Sequence, residues 1–174
     1  MSTKWLSWVS RSNRCTLAAG RHLCGSGGLR ASSERTNADG RNDALFVLKV
    51  LKWGDISTNQ DFKVTSSYNS ARNLTGDHLD YYCIDLATFE VADYAKEQWQ
   101  DGPEKNPLLA DALRSGIEAA REHGSCIPPE EQANSAAMKI MFWSVTLHGR
   151  YPSSADIILY DPSSRRLYYV SYKT

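Results

Sequence analysis

The amino-acid sequence predicts an α+β fold: an antiparallel sheet of four to six strands with two or three helices packed on one face. Two observations lead to this prediction. Residues 107–123 repeat apolar side chains at the spacing of a helix, and residues 138–148 alternate apolar and polar side chains as a strand does. Two more strand-like segments, 155–161 and 166–172, follow with short links, so the C-terminal three strands are expected to form an antiparallel meander.

The first half of the folded region predicts two strands and leaves one element open. Residues 44–53 are an apolar run closed by Gly54, and their length suits either a buried strand or a helix of three turns. Residues 62–68 and 78–86 are rich in aromatic and β-branched side chains, which favours strands. Residues 91–99 carry apolar side chains at helical steps and predict a helix.

The second half begins with the clearest helix of the sequence, over residues 107–123. Asn106 is expected to cap this helix, and Pro107 takes the first helical position, where a missing N–H costs nothing. Gly124 is expected to close it. A further short helix is expected after Pro128-Pro129, before the meander begins.

The first 41 residues predict a targeting segment rather than part of the fold. They contain seven Lys or Arg residues and two acidic residues, and no acid precedes Glu34. Four of the basic residues share one side of a helical wheel: Lys4, Arg11, Arg14 and Arg21. We therefore expect residues 1–41 to be an organelle transit peptide with a flexible linker, and the alternative is a basic tail that carries no address. The expected destination is the mitochondrial matrix, with the plastid or the cytoplasm as alternatives.

Residues 42–174 are expected to form one domain with a net negative charge. They hold 13 Lys or Arg residues and 18 Asp or Glu residues, a net charge of −5. This charge argues against nucleic-acid binding, which relies on Lys and Arg to displace phosphate counterions. No window approaches the roughly 18 apolar residues that a membrane-spanning helix needs. The domain holds Cys83 and Cys126 without a C-x-x-C spacing, so neither a structural zinc site nor a disulfide is expected, and Cys83 is assigned to the core.

The first candidate site lies on the strand at residues 78–86. His78 and Asp80 are two residues apart, so on a strand they point to the same face and could form an imidazole–carboxylate hydrogen bond. Such a bond would orient the ring and raise its basicity, as general-base catalysis requires. The alternative is that these residues simply form the solvent face of a half-buried strand.

The second candidate site is the loop expected over residues 149–154. His148, Arg150 and Tyr151 lie in or beside this loop, and Arg150 could bind a carboxylate or phosphate through two hydrogen bonds. If the strands that carry His78 and His148 were adjacent, both imidazoles could converge on one pocket. The alternative is an ordinary turn in which Gly149 permits the bend.

Function is predicted mainly from the catalytic and cofactor-binding motifs that the sequence lacks. The sequence has no P-loop, no G-x-G-x-x-G, no G-x-S-x-G, no H-E-x-x-H and no EF-hand loop, so neither a cofactor nor a metal is expected, and no family is identified. The leading hypothesis is an imported organelle protein that acts through protein contacts, such as an accessory subunit or assembly factor. Tyr168 and Tyr172 on the last strand would suit such contacts if they were exposed. The alternative is a small enzyme or ligand-binding module that uses His78, Asp80, His148 and Arg150; catalysis itself is not indicated.

Overall fold

The structure, a computed structural model, describes the backbone of residues 37–174 and the side chains of residues 43–174. The transit peptide expected at the N-terminus therefore lies outside the described residues, apart from the backbone of residues 37–41. Within the described part of the chain, no helix is long and apolar enough to cross a membrane.

Six antiparallel strands form the single sheet of the described residues, in the order β1-β2-β6-β5-β4-β3. The strands are β1 Phe62–Asn69, β2 His78–Leu86, β3 Gln100–Asp101, β4 Lys139–His148, β5 Tyr151–Asp161 and β6 Arg166–Lys173. The predicted α+β class and the C-terminal meander of β4, β5 and β6 are both confirmed. The sequence could not show that β6 inserts between β2 and β5, because strand order depends on packing and not on spacing along the chain.

In the part of the chain that the structure describes, three α-helices accompany the sheet: α1 Asn37–Trp53, α2 Pro107–Arg121 and α3 Glu130–Ala133. The region 44–53, which the sequence left open, belongs to α1, and this helix begins within the stretch assigned to the linker. The predicted helix at 91–99 is a shorter 3₁₀-helix, Asp93–Gln98. The predicted cap of α2 is confirmed, since the Asn106 side chain accepts a hydrogen bond from the Leu108 N–H at 3.0 Å.

The helices cover both faces of the sheet. Leu113 and Ile117 of α2 pack with Ala133 of α3 in the core on one face, as predicted. Val47 and Val50 of α1 pack in a second core on the other face. This arrangement explains the apolar content of β2, whose successive residues enter the two cores in turn.

The tyrosines of β6 are buried in these cores. Tyr168 and Tyr172 belong to the α2 side and Tyr169 to the α1 side, each at most 4% exposed. They are therefore core residues and cannot form the partner surface suggested by the sequence. Both faces of β6 are buried because the strand lies in the middle of the sheet with a helix on either side.

The β4–β5 hairpin is longer than the sequence predicted. His148 pairs directly with Tyr151, so the expected loop over residues 149–154 is reduced to a turn of two residues. Gly149 has a φ of +65°, which suits a tight hairpin turn, and Pro152 lies inside β5 beside an irregularity in the register.

A disulfide joins Cys83 in β2 to Cys126 in the segment after α2, across 43 residues of sequence and a Cα–Cα distance of 6.4 Å. The assignment of Cys83 to the core is confirmed, since its side chain is fully buried. The expectation that no disulfide forms is wrong. The packing of α2 on the sheet brings Cys126 next to Cys83 in β2. The spacing of the two cysteines along the chain does not predict this contact.

Candidate functional site: a polar row across the sheet

A row of five polar side chains crosses five strands on the face that carries α1. Each member lies directly opposite the next in the register of the sheet, and we call this set the polar row: Asn69, Asp80, Ser171, Asp156 and Ser144. The row lies beside the α1 core, because Asp80 points to the same face as Tyr82, which stacks on Phe46 of α1 at 4.7 Å. The row is therefore where the apolar core of this face gives way to polar side chains.

Asp80 is the least satisfied member of the row. Its Oδ2 accepts a hydrogen bond from Nη2 of Arg72 at 2.8 Å, and the Arg72 side chain remains 57% exposed. Its Oδ1 is buried and has no hydrogen-bond partner among the described residues. A buried acceptor without a partner costs about 1–3 kcal/mol, and more when the group is charged. The position of the carboxylate therefore lowers the stability of the protein, because only one of its two oxygens accepts a hydrogen bond.

Ser171 lies beside Asp80 and is bonded to His78. The Ser171 Oγ is 3.0 Å from Nε2 of His78, and the other ring nitrogen, Nδ1, is 2.9 Å from the carbonyl oxygen of Gly76. A carbonyl can only accept, so Nδ1 carries the hydrogen, and in the neutral ring Nε2 accepts the hydroxyl hydrogen of Ser171. The predicted shared face of His78 and Asp80 is confirmed in the structure, but their side chains have separate partners, Ser171 and Arg72.

Burial distinguishes Asp80 and Ser171 from most other polar side chains of the protein. Of the charged, amide, hydroxyl and imidazole side chains that the structure describes, tyrosines excluded, three are buried: Asp80, Ser171 and Asp161. Asp161 is satisfied by its own turn, through hydrogen bonds from Ser163 and Ser164. The two others are neighbours in the polar row, where no comparable turn explains them.

Asp156 is the second carboxylate of the row. Its Oδ1 accepts from the Tyr169 hydroxyl at 2.7 Å and its Oδ2 from the Ser144 hydroxyl at 2.6 Å. Burial raises the pKa of Tyr169 well above its ordinary value, and the charge of Asp156 raises it further. Tyr169 therefore stays protonated and keeps donating to the carboxylate.

Three aromatic rings extend from the row toward solvent, and we call them the aromatic wall: Trp53, Trp143 and Tyr169. Trp53 lies 5.8 Å from both of the other rings, centroid to centroid. Trp143 is the outer member, with 48% of its surface exposed, and it precedes Ser144 of the polar row. An exposed π surface thus adjoins the acidic row.

The second predicted site does not join the first. His148, Arg150 and Tyr151 are exposed at the end of the β4–β5 hairpin. β6 and β5 lie between the strands that carry His78 and His148, so the two imidazoles do not share a pocket. The pocket of His78, Asp80, His148 and Arg150 considered from the sequence is therefore not formed.

Sequence reasoning missed Ser171 and Arg72, and it did not bring Asp156 together with Asp80. Ser171 and Asp156 become neighbours of Asp80 only through the strand order β2-β6-β5. Arg72 lies in the loop before β2 and carries no motif. The available signal was the presence of single polar residues inside the strand-like segments at 155–161 and 166–172.

The arrangement offers acceptors for a cation rather than ligands for a metal. In the part of the chain that the structure describes, no group of three or more His, Cys, Asp and Glu side chains could hold a metal ion. A wide, shallow surface cleft of about 690 Å³ lies elsewhere, and its lining includes Asp55, Ser57, Glu90 and Tyr94 but no member of the polar row. The polar row is the stronger candidate site, because among the described residues this cleft holds no buried polar side-chain atom without a partner.

No protein-family model, curated protein or solved structure matches the chain.

Proposed function

We propose that this protein is a binding module that recognises a partner protein through a Lys or Arg side chain received at the polar row. The observation that carries this proposal is the Asp80 carboxylate, with one oxygen on Arg72 and the other buried without a partner among the described residues. A charged donor would satisfy Oδ1 with a charge-assisted hydrogen bond, the strong class of such bonds.

The surroundings of Asp80 favour a cation over a neutral donor. Asp156 lies in the same row, two strands away, and residues 42–174 carry a net charge of −5. Trp143 precedes Ser144 of the row and presents an exposed ring on β4, three strands from Asp80, and an ammonium or guanidinium over such a ring gains about 0.5–1 kcal/mol at exposed sites. The row thus offers negative charge at Asp80 and Asp156 and an aromatic surface at its Ser144 end.

A Lys or Arg side chain also fits the burial of the site. Both residues carry a long apolar stem that can lie along aromatic surface while the charged group reaches a recessed acceptor. Asn69 and Ser144 at the two ends of the row are exposed, so the partner backbone can remain outside. This proposal keeps the idea of function through protein contacts but replaces the β6 tyrosines as its basis.

We further propose that residues 1–41 act as an address for an organelle and that the protein works where thiols are oxidised. The Cys83–Cys126 bond supports the second statement, because disulfides persist in oxidising compartments and are rare where thiols are kept reduced. A reporter fused to residues 1–41 should enter an organelle, and changing Arg11, Arg14 and Arg21 to Ala should stop entry. Cytosolic fluorescence from the unchanged fusion would contradict the address.

The binding proposal is tested with short probe peptides. Acetyl-Gly-Gly-Arg-Gly-Gly-amide and its Lys counterpart should bind by NMR titration, and the Ala counterpart should not. Asp80→Asn should weaken binding at least about tenfold, or about 1.4 kcal/mol, because a charged hydrogen bond becomes a neutral one.

Asp85→Asn is the matched control for this experiment. Asp85 lies on the same strand and also pairs with one arginine, Arg166, at 2.7 Å, but it is partly exposed and points to the other face. This variant should bind the peptides like the wild type. The proposal is wrong if neither charged peptide binds the wild type, or if both variants lose binding equally.

A further inference from the structure

We infer that Ser171 is a nucleophile activated by His78 as its general base, and that this pair reacts with activated esters and phosphoryl fluorides. The inference concerns covalent reactivity and does not rest on the proposed recognition of a cationic side chain. It begins from the hydroxyl–imidazole contact, which the sequence did not predict.

The geometry has the three parts that an activated nucleophile requires: a nucleophile, a base within hydrogen-bond reach, and a third group that orients the base. Ser171 Oγ lies 3.0 Å from Nε2 of His78, and Nδ1 lies 2.9 Å from the Gly76 carbonyl oxygen. Both distances fall inside the range of about 2.6–3.2 Å expected for proton transfer partners. A main-chain carbonyl here takes the orienting role that a carboxylate has in many hydrolases.

The pair is positioned by the two paired strands and by the turn that leads into β2. Ser171 lies on β6 directly opposite Asp80, two positions from His78 on the paired strand β2. Gly76, which supplies the orienting carbonyl, has a φ of +78° in the turn that leads into β2. Lys173 Nζ donates to the Thr75 carbonyl at 2.6 Å and so fastens this turn to β6. The imidazole is thus preorganised in the tautomer that accepts the Ser171 proton.

The environment favours proton transfer from Ser171. The residue is 5% exposed, so water competes little for its hydroxyl. The Asp80 carboxylate, directly opposite Ser171, is paired with Arg72, which offsets its negative charge beside the reacting hydroxyl. His78 is half-buried, which leaves the base near the boundary with solvent.

The reaction with a phosphoryl fluoride balances without any further reagent. The Ser171 Oγ forms a bond to phosphorus, the P–F bond breaks, and fluoride leaves with the electron pair. The hydroxyl proton passes to Nε2 of His78. With an ester, Oγ bonds to the carbonyl carbon, the alkoxide leaves with the proton from His78, and a water molecule then releases the acid and restores the Ser171 hydroxyl, its proton passing through His78.

The test uses diisopropyl fluorophosphate on the full chain, with the adduct located by peptide mass spectrometry. We expect one adduct on Ser171 in the folded protein and none in protein unfolded by urea, because the unfolded chain no longer holds His78 beside Ser171. His78→Gln should slow labelling at least about a hundredfold, the lower end of general-base contributions. Ser154→Ala, on the same face of the neighbouring strand, should label at the wild-type rate.

Absence of an adduct on Ser171 in the folded wild type would overturn the inference, and so would equal labelling of folded and unfolded protein. These two results need no variant, so they decide the question even if His78→Gln fails to fold. Where the variant folds, labelling at the wild-type rate would also overturn it, since the imidazole would then not act as the base.

Discussion

Tyr169 of β6 donates its phenolic hydrogen to Asp156 of the neighbouring strand β5 at 2.7 Å, and this bond links the aromatic wall to the polar row. The same carboxylate accepts from Ser144 on β4, so one buried phenol helps to fix the acidic half of the site. The bond lies between the α1 core and the polar row, where the function of the molecule is proposed to lie.

Removing this phenolic hydroxyl should destabilise the protein. Tyr169→Phe leaves the ring in the core but takes one donor from Asp156, so the free energy of unfolding should fall by about 1–3 kcal/mol. The measurement is urea unfolding followed by circular dichroism. Tyr94→Phe is the matched control: its hydroxyl donates to Asp55 at 2.6 Å, but the residue is 77% exposed, so its loss should change stability little. Equal effects of the two changes would contradict the importance assigned to burial.

Alkaline pH should reveal the buried phenols. Burial raises the pKa of five tyrosines above the ordinary value of 10.0, and these are Tyr82, Tyr160, Tyr168, Tyr169 and Tyr172. A raised pKa in the folded state means that the unfolded chain loses its protons first. Stability should therefore be intact below about pH 10 and should fall as the pH rises above it. An absorbance titration at 295 nm should show these phenols ionising only together with unfolding; ionisation of all tyrosines in the folded protein would contradict the buried positions.

The Cys83–Cys126 bond should supply a large share of stability. The chain-entropy model gives about 4 kcal/mol at 25 °C for a closed loop of 43 residues. Reduced protein should therefore unfold at a lower urea concentration than oxidised protein, and the double variant Cys83→Ala, Cys126→Ala should show no further effect of reductant. When the protein is alkylated at the moment of cell lysis, mass spectrometry should find both cysteines unalkylated, because the disulfide protects them. Free thiols at both positions would contradict the proposed oxidising compartment.

The elements were predictable where a residue's own chemistry decides its conformation. Asn106 and Pro107 specify the start of α2, and the aromatic and β-branched content of residues 78–86 predicts β2 with the correct bounds. The site was less predictable, because it depends on strand order. His78 and Asp80 were singled out as neighbours on one strand, whereas Ser171 and Asp156 join them only when β6 inserts between β2 and β5. The disulfide was missed for the same reason, since tertiary packing brings Cys126 to Cys83.

Trp143 should contribute to recognition of a cationic side chain, and this can be separated from its contribution to the fold. Its ring stacks on Trp53 at a centroid distance of 5.8 Å, yet 48% of the residue is exposed. Part of the ring therefore packs within the aromatic wall, and the rest faces solvent. Trp143→Ala should weaken binding of the Arg probe peptide about two- to fivefold, which corresponds to about 0.5–1 kcal/mol of cation–π interaction. Trp143→Phe should retain much of the affinity. Tyr94→Ala, which removes an exposed aromatic residue outside the polar row, should leave binding unchanged while NMR spectra report an intact fold. If Trp143→Ala keeps full affinity, or if Tyr94→Ala loses as much, the ring takes no part in binding the cation and the recognised group lies elsewhere along the row.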